Sequence, residues 1–358
     1  MAFGDSTMLG FRVWGCGLRI FAAFAAAVSV IASCRAEDVP SAAMKVGTYN
    51  VRCSPADKGT PNAWTERKDD LLALLRRLDL DAGGLQEVCP DQLKFFKKKL
   101  PKYEFVGDGR NANRKSGEAS PVFWRKERFK CLKSGTFWLS ESPDTPGTRG
   151  WDAGWLRVCT YAILCDKRTG SFVCFVNAHI DAAPQAGEMG IRLIMERIGK
   201  IVKRMEGLHR KISVVFTGDH NCRETQRPAL IASESLTNAV VASESPPRGP
   251  WRTLNSWAWS ERATSAAEAV KHPPEKRNKL GYRIDYIYVS QDVRVLDCDT
   301  VDEPRPGTQL YPSDHFPVVA TIEATQRLAT ESESKTEMQG AQMRYIRQIQ
   351  PAWQKGME

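Results

Sequence analysis

The chain has 358 residues, a formal net charge of +9, 42% hydrophobic residues, 26% charged residues and ten tryptophans. That apolar share excludes disorder along the whole chain, and one α/β sandwich can exceed about 250 residues, so one large packed unit with terminal appendages is expected. The basic balance favours a polyanionic partner modestly, since it is also common in proteins that meet none.

Residues 1–36 read apart from the rest. Arg12 and Arg19 lead into the apolar run Ile20–Ser33 and then the exit Cys34-Arg35-Ala36, the three parts of a secretory signal, so export into a secreted or periplasmic location is expected. The run is too short for a comfortable membrane span, and no other segment approaches one. Ile31-Ala32-Ser33-Cys34 also resembles the box read before a cysteine is lipidated, so cleavage after Ala36 and anchoring through Cys34 stand as alternatives. Removing 1–36 takes away three Arg and one Asp, so the charge falls from +9 by two to about +7.

Beyond the leader, apolar periodicity predicts a strand over 45–52, a helix over 64–78, a buried strand over 82–88 and a basic helix over 91–100. Strands are expected at 120–125, 159–165, 172–179, 212–217, 283–289 and 318–322, with a long amphipathic helix over 187–205. This alternation implies a mixed α/β sandwich. Residues 243–281 break it as a loop or insertion bearing Lys271, His272, Lys276, Arg277 and Lys279. Residues 324–358 lose strand character and read as a polar tail, with one candidate helix at 343–353.

Ten cysteines less Cys16 and Cys34 leave eight, which permits disulfides without demanding them. Cys165 and Cys174 flank the turn DKRTG and are the nameable pair; buried thiols are the default elsewhere, as at Cys89 and Cys159.

Chemistry-bearing residues gather at strand ends: Asn50 in TYN, Glu87 in LQE, His179 and Asp181 in AHID, Asp219 and Asn221 in GDHN, Asp285 in RIDYI, and Asp314 with His315 in SDH. Singly each has a bland reading: a Gly-Asp turn, a helix cap, a structural histidine. Glu87 stands out, because a carboxylate ending the apolar run GGLQ needs a cation or donors if that strand is central. Together and in this order, the pieces resemble the endonuclease/exonuclease/phosphatase superfamily, across residues 44–323. The phrases GRNANRKSGEASPVFWR, GTFWLSESPDTPG and WDAGWLRVCTYA are similar to a bacterial subgroup of mostly uncharacterised phosphoesterases.

The resemblance implies a four-layer sandwich of two packed mixed β-sheets flanked by helices, with residues 44–323 as the catalytic domain. It implies a divalent-metal-dependent hydrolase in which Asn50, Glu87 and Asp314 hold Mg²⁺ or Mn²⁺, hard cations that prefer oxygen. Asp219 is expected to activate water, Asn221 and His179 to donate to the phosphate, and Asp285 to orient His315. Glu118 takes the place of a carboxylate that orients the first histidine, and Arg157 that of a phosphate-contacting arginine; a surface turn and a solvated strand residue are their alternatives. Where the family carries a large apolar residue this chain has His220, read as packed under the site, with an effect on pH dependence or metal choice as the alternative.

Three functions fit. A nucleic-acid phosphodiesterase would use the basic stretch 271–283 for phosphates and Trp251, Trp257 or Trp259 for bases, unless those rings are buried. A small-molecule or phospholipid enzyme of the inositol phosphate or sphingomyelin type, and a binding protein on an inactive scaffold, are the others. The phosphodiester is the first choice, in a monomer with no membrane span.

Overall fold

The computed structural model describes residues 43–206, 211–257 and 263–324. The whole 1–36 leader with Cys34, Trp259, the tail after Ala324 and the helix expected at 343–353 lie outside them. No helix of the described residues is long and apolar enough to cross a membrane.

Twelve strands form two six-stranded mixed sheets. The first contains β1 (Ala43–Asn50), β2 (Ala82–Gln86), β3 (Tyr103–Val106), β4 (Val122–Arg125), β11 (Val293–Thr300) and β12 (Val318–Ala324), in the order β11-β12-β1-β2-β4-β3. The second contains β5 (Phe129–Trp138), β6 (Val158–Asp166), β7 (Phe172–His179), β8 (Ile212–Asp219), β9 (Leu236–Asn238) and β10 (Asp285–Ser290), in the order β5-β6-β7-β8-β10-β9. The inner faces meet through Val46, Trp124, Phe175, Val215, Ile287 and Val318. Helices α1 (Trp64–Leu78) and α2 (Pro90–Lys99) cover the outer face of the first sheet, with Leu71, Leu75 and Phe96 packed against Leu85 and Val319. Helix α3 (Pro184–Glu206) and the short α4 (Arg227–Ser233) cover the second, placing Ile191, Ile194 and Ile231 with Val176 and Phe216. The result is the expected four-layer sandwich.

Local sequence explains the central elements. β2 reads AGGLQ and is buried at every residue, as a strand with neighbours on both sides and layers on both faces must be. Its Gly84 is required by close approach, since a Cβ there would lie 2.3 Å from Asn177 Oδ1 and 2.5 Å from Thr217 Oγ1. Helix α1 presents leucines at helical spacing and ends on Asp79 in the left-handed region.

Four strands escape the periodicity reading: β3, β5, β9 and β11. They are the four edges of the two sheets, where a strand has one partner and its apolar alternation weakens. The segment 243–281 holds short helices at Ala266–Ala269 and Pro274–Arg277. Cys165 and Cys174 are not a pair: all eight described cysteines are free, and the register sets Cys174 opposite Ile163 and Cys165 opposite Phe172.

Candidate active site

Strand register brings the polar residues together. His179 on β7 lies opposite Asp219 on β8, and Asp285 on β10 lies opposite Asp219 from the other side, so three functional side chains share one level of the second sheet. In the first sheet Asn50 lies opposite Gln86, one residue before Glu87. Arg52, Glu87 and Asn221 adopt positive φ of 56°, 60° and 48°. Such backbone is uncommon outside glycine, and three cases around one cleft mark a place where the fold holds strained chain.

Asp219 is the hub. Its Oδ2 accepts from Asn50 Nδ2 at 3.0 Å, its Oδ1 accepts from the Asn221 backbone N–H at 2.9 Å, and Nε2 of His179 and of His315 lie 3.4 and 3.7 Å from Oδ2. Burial, followed by the nearby Asp285 carboxylate, pushes the Asp219 carboxyl upward. His315 Nδ1 meets Asp285 Oδ2 at 2.9 Å. Burial opposes charge on that ring, yet Asp285 and then Asp219 outweigh it and raise His315 to about 10. His315 is therefore cationic at neutral pH, beside a carboxylate whose proton affinity is raised.

His179 is the opposite case. Asn221 Nδ2 donates to Ile180 O at 3.0 Å, which fixes the amide's orientation, so the 2.9 Å contact from the same nitrogen makes His179 Nε2 an acceptor and places the ring proton on Nδ1. Burial, then Arg157, His315 and Arg110, holds the ring well below its ordinary value and neutral. Asn221 and His179 thus face each other rather than both presenting donors outward, as had been expected.

Arg157 Nε donates to Asp181 Oδ2 at 3.2 Å, and Asp181 also accepts from the backbone of Gly154, Trp155 and Ala183. Asp181 therefore steadies its own loop and also aims Arg157. Glu118 does not orient His179: its Oε2 accepts from Arg110 at 2.7 Å, and His179 Nδ1 has no partner among the described residues. Arg110, the missed member of this group, stacks on Trp155, a ring 61% exposed. Its only sequence signal was its place in GRNANRKSG.

Around Glu87 the chemistry suits a cation. Glu87 is opposed by burial, but Asn50 Nδ2 and the Cys53 N–H, each at 3.0 Å, keep it ionised. Asp314 is pushed upward by burial and by Glu87, with Arg52 Nη1 3.4 Å from its Oδ2. Two largely buried carboxylates, the charge of one opposing that of the other, fit an oxygen-seeking divalent ion. A second group, Asp219, Asp285 and His315, has ligand atoms within 4.8 Å of one another. There the Asp285 oxygen and His315 Nδ1 already bond each other, and both Asp219 oxygens have protein donors. Both Glu87 oxygens likewise have protein donors, so hydrogen bonding alone does not rank the two groups; the all-oxygen set of Glu87, Asn50 and Asp314 is the one that suits a hard cation.

Arg67, unremarked in the sequence, is fully buried and donates to Val51 O, Arg52 O, Asn62 O and Pro312 O, tying α1 to the chain on either side of the Glu87–Asp314 region. The 243–281 segment braces the site: Thr253 Oγ1 accepts from the Asp285 N–H, and the N–H groups of Asn255 and Ser256 donate to Asp314 O. Several of the cations in and beside it are engaged within the protein. Arg277 clasps Glu224 at 2.6 and 2.7 Å, Lys271 pairs with Glu268, and Arg283 is buried against Trp251, itself 1% exposed. The expected base-stacking and phosphate-binding role of this stretch is withdrawn for those residues. Trp257 stacks on Arg67. His220 is packed as the structural reading held, between Phe216 and Tyr288 at ring distances of 4.8 and 5.5 Å.

Residues 47–315 match the model of the Endonuclease/Exonuclease/phosphatase family. A protein of that family from Bacteroides vulgatus is 28% identical, with 79% of this chain and 99% of that one covered at a TM-score of 0.66. A mannosyl-6-phosphatase of Bacteroides thetaiotaomicron is also 28% identical, with 78% and 99% covered at a TM-score of 0.65. The human nocturnin catalytic domain shares the fold at 19% identity, with 79% and 95% covered at 0.58. The search of curated proteins returned no match.

Proposed function

Since this chain belongs to the endonuclease/exonuclease/phosphatase family of phosphoesterases, we propose that it hydrolyses small phosphomonoesters with the help of Mg²⁺ or Mn²⁺. The observation that carries this reading is the pairing of the buried Asp219 with the cationic His315–Asp285 couple at one level of the cleft.

Water attacks phosphorus, the P–O bond to the alcohol breaks, and orthophosphate and alcohol leave. Asp219, with its raised proton affinity, takes the water's proton; Asn50 and the Asn221 backbone hold the carboxylate in place. His315 places positive charge against the phosphate oxygens and is kept charged by Asp285. Arg157, held by Asp181, neutralises a further oxygen. Glu87, Asn50 and Asp314 would hold the metal ion, which supplies charge neutralisation to the phosphate as its negative charge redistributes.

The small-substrate half rests on two supports. Within 271–283, Lys271, Arg277 and Arg283 are engaged in contacts within the protein, and the mannosyl-6-phosphatase is 28% identical along 78% of the chain. Nucleic-acid phosphodiester cleavage remains a second reading, favoured by the basic groove of about 370 Å³ that Lys94, Lys97, Arg114 and Lys115 line beside Val88. Hydrolysis of p-nitrophenyl phosphate, hexose phosphates, DNA, RNA and sphingomyelin, with and without chelator, decides between them. Metal-dependent release from the monoesters is expected. A preference for DNA or RNA that falls steeply with salt would transfer the assignment to the second reading, and activity indifferent to chelator would contradict the metal.

A further inference from the structure

A cavity of about 600 Å³ opens beside Asn221, between the start of α3 and residues 221–228. Its volume lies in the range of about 300–1,000 Å³ typical of small-molecule sites. We propose that this cavity binds the alcohol half of the substrate and that the alcohol is an uncharged, polyhydroxylated ring, a sugar; this rests on the phosphatase reading above.

The lining excludes the other classes. A second phosphate or a carboxylate would need a free cation, but Arg227, the one cation among the described residues that line it, is paired with Glu188 at 3.1 Å. Asp181 and Glu188 also line the cavity, the first paired with Arg157 and the second with Arg192 and Arg227. A nucleobase would want an aromatic face, and no aromatic residue lines it. A lipid chain would find carboxylates and amides in its path. A sugar fits what is present. The exposed Gln185 side-chain amide lines the cavity and can both donate to and accept from hydroxyls. Pro184, Met189 and Pro228 supply apolar surface for the C–H faces of a ring. Asp181 and Asn221 join the cavity to the catalytic level, since the first holds Arg157 and the second holds His179. A group seated there is therefore continuous with a phosphate at Arg157.

The test compares a hexose 6-phosphate with methyl phosphate, whose alcohol is too small to occupy the cavity. Full-length wild-type protein with Mg²⁺ is expected to prefer the hexose ester at least tenfold in kcat/KM. Met189→Trp, which fills the cavity from α3, should cut that ratio by about tenfold or more, and Gln185→Leu, which removes the lining amide at an exposed position, by several-fold. The same ratio read as Kd by calorimetry on Asp219→Asn protein tests the cavity without turnover. A wild-type protein that hydrolyses both esters with no preference, or a Met189→Trp variant that keeps the preference in both rates and Kd, would overturn the assignment while leaving the phosphatase reading intact. A protein that binds the hexose ester preferentially but hydrolyses neither would support the cavity and sink the phosphatase reading instead. A preference for hexose bisphosphates or nucleotides over the hexose ester would also overturn it.

Discussion

At the scale of single residues, the site divides its titratable groups by environment. His315 is raised to about 10 by Asp285 and Asp219 against burial, so its positive charge is fully present below about pH 6.5 and is lost as pH rises through that raised value. The alkaline limb of kcat/KM should follow this loss. Asp285→Asn removes the leading stabiliser of the charge and should move the limb toward neutrality by at least about one pH unit; a limb that stays in place would separate His315 from the rate. His220 behaves in the other direction. Burial alone lowers it to about 3, and both ring nitrogens lack partners among the described residues. The folded protein thus refuses a proton that the unfolded chain accepts below about pH 6.5, and stability falls as pH drops from there toward 3. Between pH 6.5 and 5 this amounts to about 2 kcal/mol. His220→Phe should flatten the acid loss by that amount in denaturant unfolding at the two pH values. An equal loss in wild type and variant would mean that the ring takes up its proton while folded. The residues of the hub were readable in the sequence because they close strands with distinctive neighbours; Arg110, Arg52 and Arg67 were not, because an arginine carries no local pattern that says whether it faces solvent or a carbonyl.

Among elements, what could be read was the centre of each sheet and what escaped was its rim. β1, β2, β7, β8 and β10 are buried on both sides and show as apolar runs, whereas edge strand β5 carries Lys130, Lys133 and Ser134 and an irregular register between Cys131 and Lys133. Its pattern belongs to a strand only once β6 is beside it. The two sheets are also tied by a link that no periodicity signals. Arg128 is 1% exposed and donates to Asp81, just before β2, at 2.7 Å and to Asp166, at the end of β6, at 2.9 and 3.0 Å. Removing one member of such a buried group leaves uncompensated charge, at a cost of about 3–5 kcal/mol. Arg128→Met is therefore expected to lower the unfolding free energy by that much in urea titration. A change under 1 kcal/mol would mean that water reaches the two carboxylates and the link adds little.

For the molecule as a whole, the first sheet contributes Asn50 and Glu87 and the second His179, Asp219 and Asp285, so the proposed reaction centre exists only where the ends of both sheets meet. The insertion at 243–281 closes the arrangement from outside through Thr253 and Asn255, an architectural role that its basic composition concealed. Part of the basic charge is met in ion pairs across the surface, such as Arg294 with Glu244 and Glu323 or Arg197 with Asp144. What unites the two sheets chemically is Asp219, which receives Asn50 from one and stands level with His179 and Asp285 in the other. The most direct test of the account is the metal-dependent hydrolysis of p-nitrophenyl phosphate by wild-type protein and by Asp219→Asn, a substitution of nearly equal shape. The predicted result is a fall in kcat of about 10²–10⁴-fold with the thermal unfolding midpoint preserved; turnover by the variant within a few-fold of wild type would contradict it.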